Sequence, residues 1–185
     1  EIRESNDFGE KKLYDTKLGR IADMISSTSA TKALSYDQMV EVMIKAENLE
    51  NFEKSPHADK MVEANIVIRN EMQTLVDDAE NTMERNGKVM IYNIKSKYNL
   101  SSPLSTKLSE NYPKNLVLIY QVTGNRLKVS SRNQAKNIDA GKVMGRAAKA
   151  VGGSGGGHDA AAGATIAPDK WEEFKETIIK IANKK

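Results

Sequence analysis

The hydrophobic period of the chain changes at Gly87, and this change limits the fold classes that the chain can adopt. Upstream of Gly87, Ser55-Pro56 is typical of a helix start and Asn86-Gly87 of a helix end. Between these signals, apolar residues recur at steps of three and four, which places them on one face of a helix: Met61, Ala64, Ile68, Met72, Leu75, Ala79 and Met83. The pattern predicts one long helix over residues 55–86.

Downstream of Gly87 the sequence is typical of strands. Residues 88–94 and 115–122 are runs of β-branched and aromatic side chains, and residues 126–132 alternate after a turn at Gly124-Asn125. Helices are predicted over 105–112, 139–151 and 168–183, and a further strand over 162–167. The order strand, helix, strand, strand, helix, strand, helix predicts an α/β fold in which helices pack on a mixed β-sheet.

Residues 1–54 are predicted to be a helical segment, with helices over 13–30 and 36–48 and Ser35 as the cap of the second. The chain therefore divides into three predicted parts: this segment, a long linking helix over 55–86 and an α/β domain over 87–185. We expect the first part to be either the end of a preceding domain or an insertion. Because the chain starts at Glu1 and not at a methionine, we also expect it to be part of a longer protein.

The charges of the chain are segregated. Residues 1–86 hold 11 Lys and Arg against 18 Asp and Glu, whereas residues 87–150 hold 12 against two. This basic stretch favours contact with a polyanion such as nucleic acid; the alternative is that the acidic part of the chain compensates it. The chain has no cysteine, which excludes disulfides and thiolate zinc sites. It has no apolar run long enough to span a bilayer, so we expect a cytoplasmic protein without a membrane partner.

One stretch combines almost no side chain with a single histidine: residues 150–166 read AVGGSGGGHDAAAGATI. A flexible linker is one interpretation, but the stretch connects a predicted helix directly to a predicted strand. Successive glycines can turn their N–H groups into one concavity, a nest that binds a phosphate. His158 at the edge of such a nest can donate to the same anion or transfer a proton. No Walker lysine follows the glycines, which disfavours a nucleoside-triphosphate site.

These residues resemble a known signature. Residues 155–163 (GGGHDAAAG) are similar to the GGGHxxAAG motif of the first type of DHH-associated domain, the C-terminal half of the DHH-family phosphoesterases. Ser130-Ser131-Arg132-Asn133 resembles the S-x-R-S segment of that family, with Asn133 in the place of the second serine. The family includes RecJ-like nucleases, their archaeal relatives and oligoribonucleases, and the resemblance is to the RecJ-like, archaeal type.

The resemblance implies a substrate site in this chain. It implies that Arg132 contacts a substrate phosphate and that the glycines and His158 face a metal centre in another domain. A surface arginine paired with an acid is the alternative interpretation of Arg132. His158 has at most an assisting role in catalysis. The expected phosphate-binding residues are Ser130, Arg132, Gly155, Gly156, Gly157, His158, Ala161, Ala162 and Gly163.

The resemblance also implies where the chemistry takes place. The family uses Mn²⁺ or Mg²⁺ held by aspartates and by the two histidines of an Asp-His-His motif in the N-terminal domain. This chain contains no Asp-His-His sequence. We therefore expect no cofactor, metal ligand or catalytic residue in this chain, and we expect the N-terminal DHH domain of the same protein as its partner.

Three functions remain open on the sequence alone. The first is the nucleic-acid-binding half of a RecJ-like single-strand exonuclease, which the basic stretch favours. The second is an oligoribonuclease or cyclic-dinucleotide phosphodiesterase, which needs only a compact phosphate site. The third is a non-catalytic interaction module of a replication or repair complex. The partners considered are single-stranded nucleic acid, a short oligonucleotide and a second copy of the chain; whether the parent protein is an active hydrolase stays open.

Overall fold

A computed structural model describes residues 16–46 and 51–184 of the chain. The chain divides into two compact units, Glu1–Glu71 and Met72–Lys185. This boundary falls inside a helix, so the predicted three-part division and the assignment of residues 1–54 stay predictions. None of the helices in the described ranges is both long and apolar enough to cross a membrane.

The first unit is helical where it is described. Its elements are α1 (Lys17–Thr31), α2 (Tyr36–Lys45), a 3-10 turn (Phe52–Lys54) and the first part of α3 (Ala58–Thr82). Ser35 caps α2 as predicted, because its hydroxyl accepts from the Gln38 N–H while the Gln38 side chain accepts from the Ser35 N–H. Residues 13–15 and 47–48 of the predicted helices lie outside the described residues.

The long helix α3 is shorter than predicted at both ends. It begins at Ala58, because His57 has a φ of 67°, a left-handed conformation that a right-handed helix cannot contain. Ser55 is therefore not its cap, and the Ser55 hydroxyl donates to the carbonyl of Phe52 in the preceding turn. The predicted start at Ser55-Pro56 is wrong. The predicted apolar stripe is confirmed, since all its residues are buried except Met72, which is half-buried.

The second unit is a mixed sheet with packed helices, which confirms the predicted α/β class. Its strands follow the order β1-β2-β3-β4-β6-β5. Strands β2 and β3 are parallel, and the other neighbours are antiparallel. The elements are β1 (Glu84–Asn86), β2 (Val89–Asn93), α4 (Ser101–Asn111), β3 (Leu116–Thr123), β4 (Arg126–Arg132), α5 (Ala140–Ala150), β5 (Ser154–Gly157), β6 (Ala161–Ile166), a 3-10 turn (Pro168–Lys170) and α6 (Trp171–Ala182).

The sequence pattern does not predict two of these strands. β1 occupies residues that we expected at the end of the long helix, and it pairs with β2 across a turn at Gly87, whose φ is 64°. β5 occupies the glycine run and pairs with β6. A three-residue polar strand and a run of glycines both lack the alternating apolar side chains by which a strand is recognised.

Both faces of the sheet bury apolar residues at β2 and β3, because Met90, Tyr92, Val117 and Ile119 are buried on the face opposite to α5 and α6. The face towards α5 and α6 carries one hydrophobic core. Buried residues of β2, β3, β4 and β6 pack there against α5 and α6. In α6, Phe174 and Ile178 are fully buried, while Trp171 and Ile181 are partly buried against the same core. These four residues lie at steps of three and four and form the apolar face of the last helix.

The C-terminal end of α6 is tied to the turn between β1 and β2. The Asn183 side chain accepts from the Lys88 N–H at 2.8 Å and donates to the Asn86 carbonyl at 3.1 Å. Gly87 between them has no room for a side chain, because an added Cβ would lie 2.5 Å from Asn183 Oδ1. One amide side chain thus joins the last helix to the first hairpin of the unit.

Candidate functional site

Strands β4, β6 and β5 have one side that α5 and α6 do not cover. Along β6, the buried residues Ala162, Ala164 and Ile166 belong to the core. The residues between them are half-buried and point to the opposite side, because side chains alternate along a strand. β4 alternates in the same way. We call this uncovered side of β4, β6 and β5 the open face.

The strand register arranges the open face in rows that run across the strands. Ser130 of β4 pairs with Gly163 of β6, and Gly163 pairs with Gly156 of β5. Directly paired residues share one face of a sheet, so these three residues form one row. Two of its three positions carry no side chain, which leaves room for a ligand to approach the backbone.

Arg132, Ala161 and His158 form the next row of the open face. Arg132 pairs with Ala161, and Ala161 exchanges both backbone hydrogen bonds with His158, at 2.8 and 3.3 Å. Neighbouring strands lie about 4.8 Å apart, so the backbones of Arg132 and His158 are about 10 Å apart. The exposed imidazole and the half-buried guanidinium therefore belong to the two ends of this row, which is next to the row that holds Gly163 and Gly156.

The Arg132 side chain is held by three hydrogen bonds. Its Nε donates to Thr106 Oγ1, its Nη2 donates to Ser102 Oγ and its Nη1 donates to the Ser131 carbonyl, each at 3.1 Å. Among the described residues its partners are neutral, which contradicts the alternative interpretation of a surface arginine paired with an acid. Burial lowers the pKa of Arg132 from its ordinary value, but a guanidinium stays charged in proteins. A fixed, half-buried cation without an anionic partner is well suited to bind a phosphate.

Helix α4 forms a hydroxyl-rich wall beside the open face. Ser102, Ser105 and Thr106 lie at helical spacing; Ser105 Oγ is 3.0 Å from Ser130 Oγ, and the other two hold Arg132. These residues are absent from the predicted site, because the sequence pattern places this helix over 105–112 whereas α4 begins at Ser101. Hydroxyl residues at steps of three and four in SSPLST are the signal that could have found them.

The predicted backbone nest at the glycines is wrong. Ser154–Gly157 is an extended strand, in which successive N–H groups point in opposite directions instead of into one concavity. Gly156 and Gly157 have φ values of 150° and 149°, which glycine adopts without a Cβ clash. The backbone therefore favours glycine at Gly156 and Gly157, in a strand and not in a loop.

The strand also separates the expected site residues into two groups. Gly156 points to the open face, where an added Cβ would meet no atom within 4 Å. Gly155 and Gly157 point to the other side, since they pair with the core residues Ala164 and Ala162. An added Cβ on Gly155 would lie 2.8 Å from the Cβ of Ala148 in α5. The structure therefore brings together Ser130, Arg132, Gly156, His158, Ala161 and Gly163, and it places Gly155, Gly157 and Ala162 behind them.

The N-terminus of α5 is closed by the hairpin that carries His158. The Gly141 N–H donates to the His158 carbonyl and the Ala140 N–H to the Asp159 carbonyl, at 3.0 and 2.9 Å. Asp139 caps the helix by accepting from the Lys142 N–H at 2.9 Å. The hydrogen bond from the Lys142 ammonium, and after it the one from the Lys142 N–H, holds the pKa of this carboxyl below its ordinary value. The helix end thus fixes the backbone of His158 and has few N–H groups left for an anion.

The residues around the open face do not fit a divalent metal. In the ranges 16–46 and 51–184, no three His, Cys, Asp or Glu side chains lie close enough to hold an ion. The carboxylate next to His158 is Asp159, which pairs with Lys136 at 3.8 Å. Asp139 is committed to its helix cap. The donor set suits an anion, and we assign no step to a metal in this chain.

Two solved structures have a similar fold. RecJ of Thermus thermophilus with Mg²⁺ matches 89% of this chain and 25% of its own, with a TM-score of 0.68 and 14% identity. The pGpG-specific phosphodiesterase PggH of Vibrio cholerae matches 98% of this chain and 64% of its own, with a TM-score of 0.61 and 14% identity. At this identity the matches show the fold alone.

A curated relative and a family match concern the second unit. The uncharacterized protein MJ0831 of Methanocaldococcus jannaschii is 32% identical over 94 residues, which are 49% of this chain and 21% of the relative. The chain thus spans about a fifth of that relative's length. The DHHA1 domain family matches residues 86–184, more than half of the chain and the whole of the open face. This chain belongs to the DHHA1 domain family.

Proposed function

We propose that this chain is the substrate-binding, C-terminal part of a DHH-family phosphodiesterase of the RecJ-like kind, which holds the end of a single-stranded nucleic acid. In this proposal a separate N-terminal DHH domain holds Mn²⁺ or Mg²⁺ and supplies the activated water for phosphodiester hydrolysis. The proposal includes a cytoplasmic location. The family membership and the lengths of the relatives support it, because RecJ and PggH are both larger than the part that this chain matches.

The observation that carries the proposal is the Arg132 row. Arg132 is held in place, half-buried and charged, and the three groups that hold it are neutral. His158 lies in the same row and is exposed. Ala161 lies between Arg132 and His158, and Gly163 and Gly156 lie beside it in the next row. These residues have little or no side chain, so a phosphodiester can lie against the backbone and contact both Arg132 and His158. Arg132 binds and orients the phosphate, and His158 donates a hydrogen bond to one of its oxygens.

A second candidate function is hydrolysis of short oligonucleotides or dinucleotides by the same kind of parent enzyme. The observation that favours it is the compactness of the two rows, which span only three strands. The similarity to PggH, whose name specifies pGpG, supports this alternative at the level of fold. The two candidates differ in how many phosphates contact the protein.

A binding titration tests the proposal. Fluorescence anisotropy would follow binding of labelled oligo-dT, oligo-U and pGpG to the 185-residue chain at several salt concentrations. We expect sequence-independent dissociation constants of about 10⁻⁴ to 10⁻⁶ M that rise with salt. Arg132→Ala should weaken binding, whereas Lys180→Ala on α6 should not. No binding of any of the three ligands, or equal binding by Arg132→Ala, would contradict the proposal.

A further inference from the structure

The segment between β2 and α4 lies along the open face. Near its start, the carbonyl of Ser96 accepts from Nε2 of Gln121 at 2.7 Å. Just beyond its end, Ser102 accepts from Arg132 at 3.1 Å. Gln121 pairs with Lys128 across β3 and β4, and it therefore shares the face of Lys128. Both ends of the segment are thus bonded to side chains on this side of the sheet, Gln121 of β3 and Arg132 of β4, and the residues between them form the rim of the open face.

Exposed cations gather at this rim. Lys128 and Arg126 continue the alternation of β4 beyond Ser130, and both are exposed. Lys95 and Lys97 on the segment are exposed as well. No ion pair joins any of these four cations to a carboxylate within the part of the chain that the structure describes. Their positive charge is therefore available to a ligand.

An aromatic ring lies next to one of these cations. Lys97 Nζ is 5.1 Å from the centroid of the Tyr98 ring. The Tyr98 side chain is half-buried, so part of the ring is accessible. The Tyr98 N–H donates to Ser96 Oγ at 3.1 Å, and its carbonyl accepts from the Leu100 N–H at 3.0 Å. These bonds fix the backbone that carries the ring, and a fixed, partly exposed ring next to cations is the arrangement on which unpaired bases stack.

We propose that a rim subsite binds the nucleotides that follow the one held by Arg132 and His158. The rim subsite consists of Lys95, Lys97, Tyr98, Arg126 and Lys128. This inference rests on the proposed function and deepens it by naming the substrate as a single strand of several nucleotides. Lys128 is four residues from Arg132 on the same face of β4, about 13 Å along the strand. A single nucleotide is too short to contact both, whereas a single strand that runs along β4 can.

The chemistry of the rim subsite favours nucleic acid over an acidic peptide. Its cations lie along a path that continues the phosphate-binding rows, so they match a backbone with a charge at every step. The ring at the same place offers a surface to a base, independent of sequence. The rim residues contact the nucleic acid only through charge and stacking, and neither contact distinguishes DNA from RNA. We therefore expect binding to single strands of both.

The test compares ligand lengths and removes the rim cations. The ligands are pGpG, oligo-dT and oligo-U of about ten nucleotides, within the site sizes of single-strand binding domains. The variants of the full chain are Lys97→Gln with Lys128→Gln, and Tyr98→Ala; the control is Lys149→Gln with Lys180→Gln, which removes the same charge from α5 and α6. Circular dichroism checks that each variant is folded.

We expect the rim double variant to bind the longer oligomers about tenfold more weakly and the control to bind them as the wild type does. The slope of log affinity against log salt should fall by about 1.4, since each phosphate contact on a single strand contributes about 0.7. Tyr98→Ala should weaken the same ligands by about fivefold or more. Binding of pGpG should stay unchanged in all these variants.

Three other results would overturn the rim subsite, and they differ in what they mean for the proposed function. If the wild type binds pGpG and the oligomers with the same affinity and salt slope, and the rim variants match it, the rim subsite is wrong while the proposed function stands. If the wild type binds none of the ligands, the proposed function is wrong and the rim subsite is wrong with it. Equal losses in the rim and control variants would show a general effect of net charge and would also overturn the inference.

Discussion

Arg132 and His158 lie in the same row of the sheet, on either side of Ala161, but their side chains differ in freedom. Arg132 is fixed by Ser102, Thr106 and the Ser131 carbonyl before any ligand is present. The His158 imidazole is exposed and has no hydrogen-bond partner among the described residues. We therefore expect Arg132 to set the position of a phosphate and His158 to turn towards it.

His158→Ala should weaken nucleotide binding without unfolding the protein. An exposed side chain contributes little to the core, whereas loss of a hydrogen bond to a charged phosphate costs about 1–3 kcal/mol. Paired thermal melts and titrations with a short 5′-phosphorylated oligonucleotide measure both effects. His57→Asn is the matched control, because asparagine tolerates the left-handed φ of His57. A large drop in melting temperature with unchanged binding would mean that His158 is structural.

Arg132→Lys should not be a conservative change. Lysine keeps the charge but loses the planar fork that reaches Ser102, Thr106 and the Ser131 carbonyl together. We expect phosphate affinity to fall by about 1–2 kcal/mol, with a salt slope close to that of the wild type because the charge is retained. Arg146→Lys, at an exposed position of α5, serves as the control. Wild-type affinity in Arg132→Lys would show that charge alone is sufficient there.

Gly156→Val should reduce both stability and binding. The φ of 150° is strained for a residue with a Cβ, at a cost of roughly 1–3 kcal/mol, and the new side chain would project onto the open face. Gly152→Ala separates the two effects. Gly152 also has a positive φ and open space around it, but it follows α5 and is not part of the open face. Thermal melts should show a loss for both variants. Binding should fall only for Gly156→Val; a fall in both would trace the effect to stability.

Asp139→Ala should lower the melting temperature at neutral pH and have little effect in acid. Hydrogen bonds from the Lys142 ammonium and from the Lys142 N–H lower the pKa of the folded Asp139 carboxyl. A lowered pKa means that the stabilisation is present above the unfolded value, about 3.9, and is lost as the pH falls through the folded value. Melts of both proteins between neutral and acidic pH would check this. A constant difference at all pH values would show that the charge of Asp139 has no part in the effect.

Asn183→Ala should destabilise the second unit by about 0.5–1.5 kcal/mol while nucleotide binding stays the same. The change removes the two hydrogen bonds to the turn between β1 and β2. Asn183→Asp is the informative companion, because it keeps the acceptor for Lys88 but loses the donor to Asn86. Urea unfolding should rank the wild type above both variants. Equal stability of all three proteins would mean that water replaces the amide without loss.

The sequence predicts those parts of the fold in which a local pattern and the tertiary structure agree. β4 was predicted with its observed bounds, because alternation of exposed and core residues is complete along residues 126–132. Ser35 caps α2 at the predicted place, since a capping box is local in sequence. The start of α3 was not predictable, because the left-handed φ of His57 is not encoded by a turn residue and outweighs the signal of Ser55-Pro56.

The sequence predicts some residues of the candidate site but not its shape. The GGGH motif and Arg132 were found from the sequence, and the register brings the open-face members together. Which glycines point to the open face depends on β5 being a strand, and glycines carry no pattern that shows it. Ser102 and Thr106 were missed since their role depends on how α4 packs beside β4, which is a tertiary property.

The close approach of α5 to the glycine strand β5 also determines whether a further strand can pair with this edge of the sheet. His158 exchanges hydrogen bonds with Ala161, so the alternating pattern turns the carbonyls of Gly155 and Gly157 away from β6. Both carbonyls meet α5, where an added Cβ on Gly141 would lie 2.5 Å from the Gly157 oxygen and one on Gly145 would lie 3.5 Å from the Gly155 oxygen. A strand from another chain would need those carbonyls as acceptors. The helix therefore blocks the addition of a strand at β5. It also protects β5, which has no charged side chain of its own, from edge-to-edge aggregation.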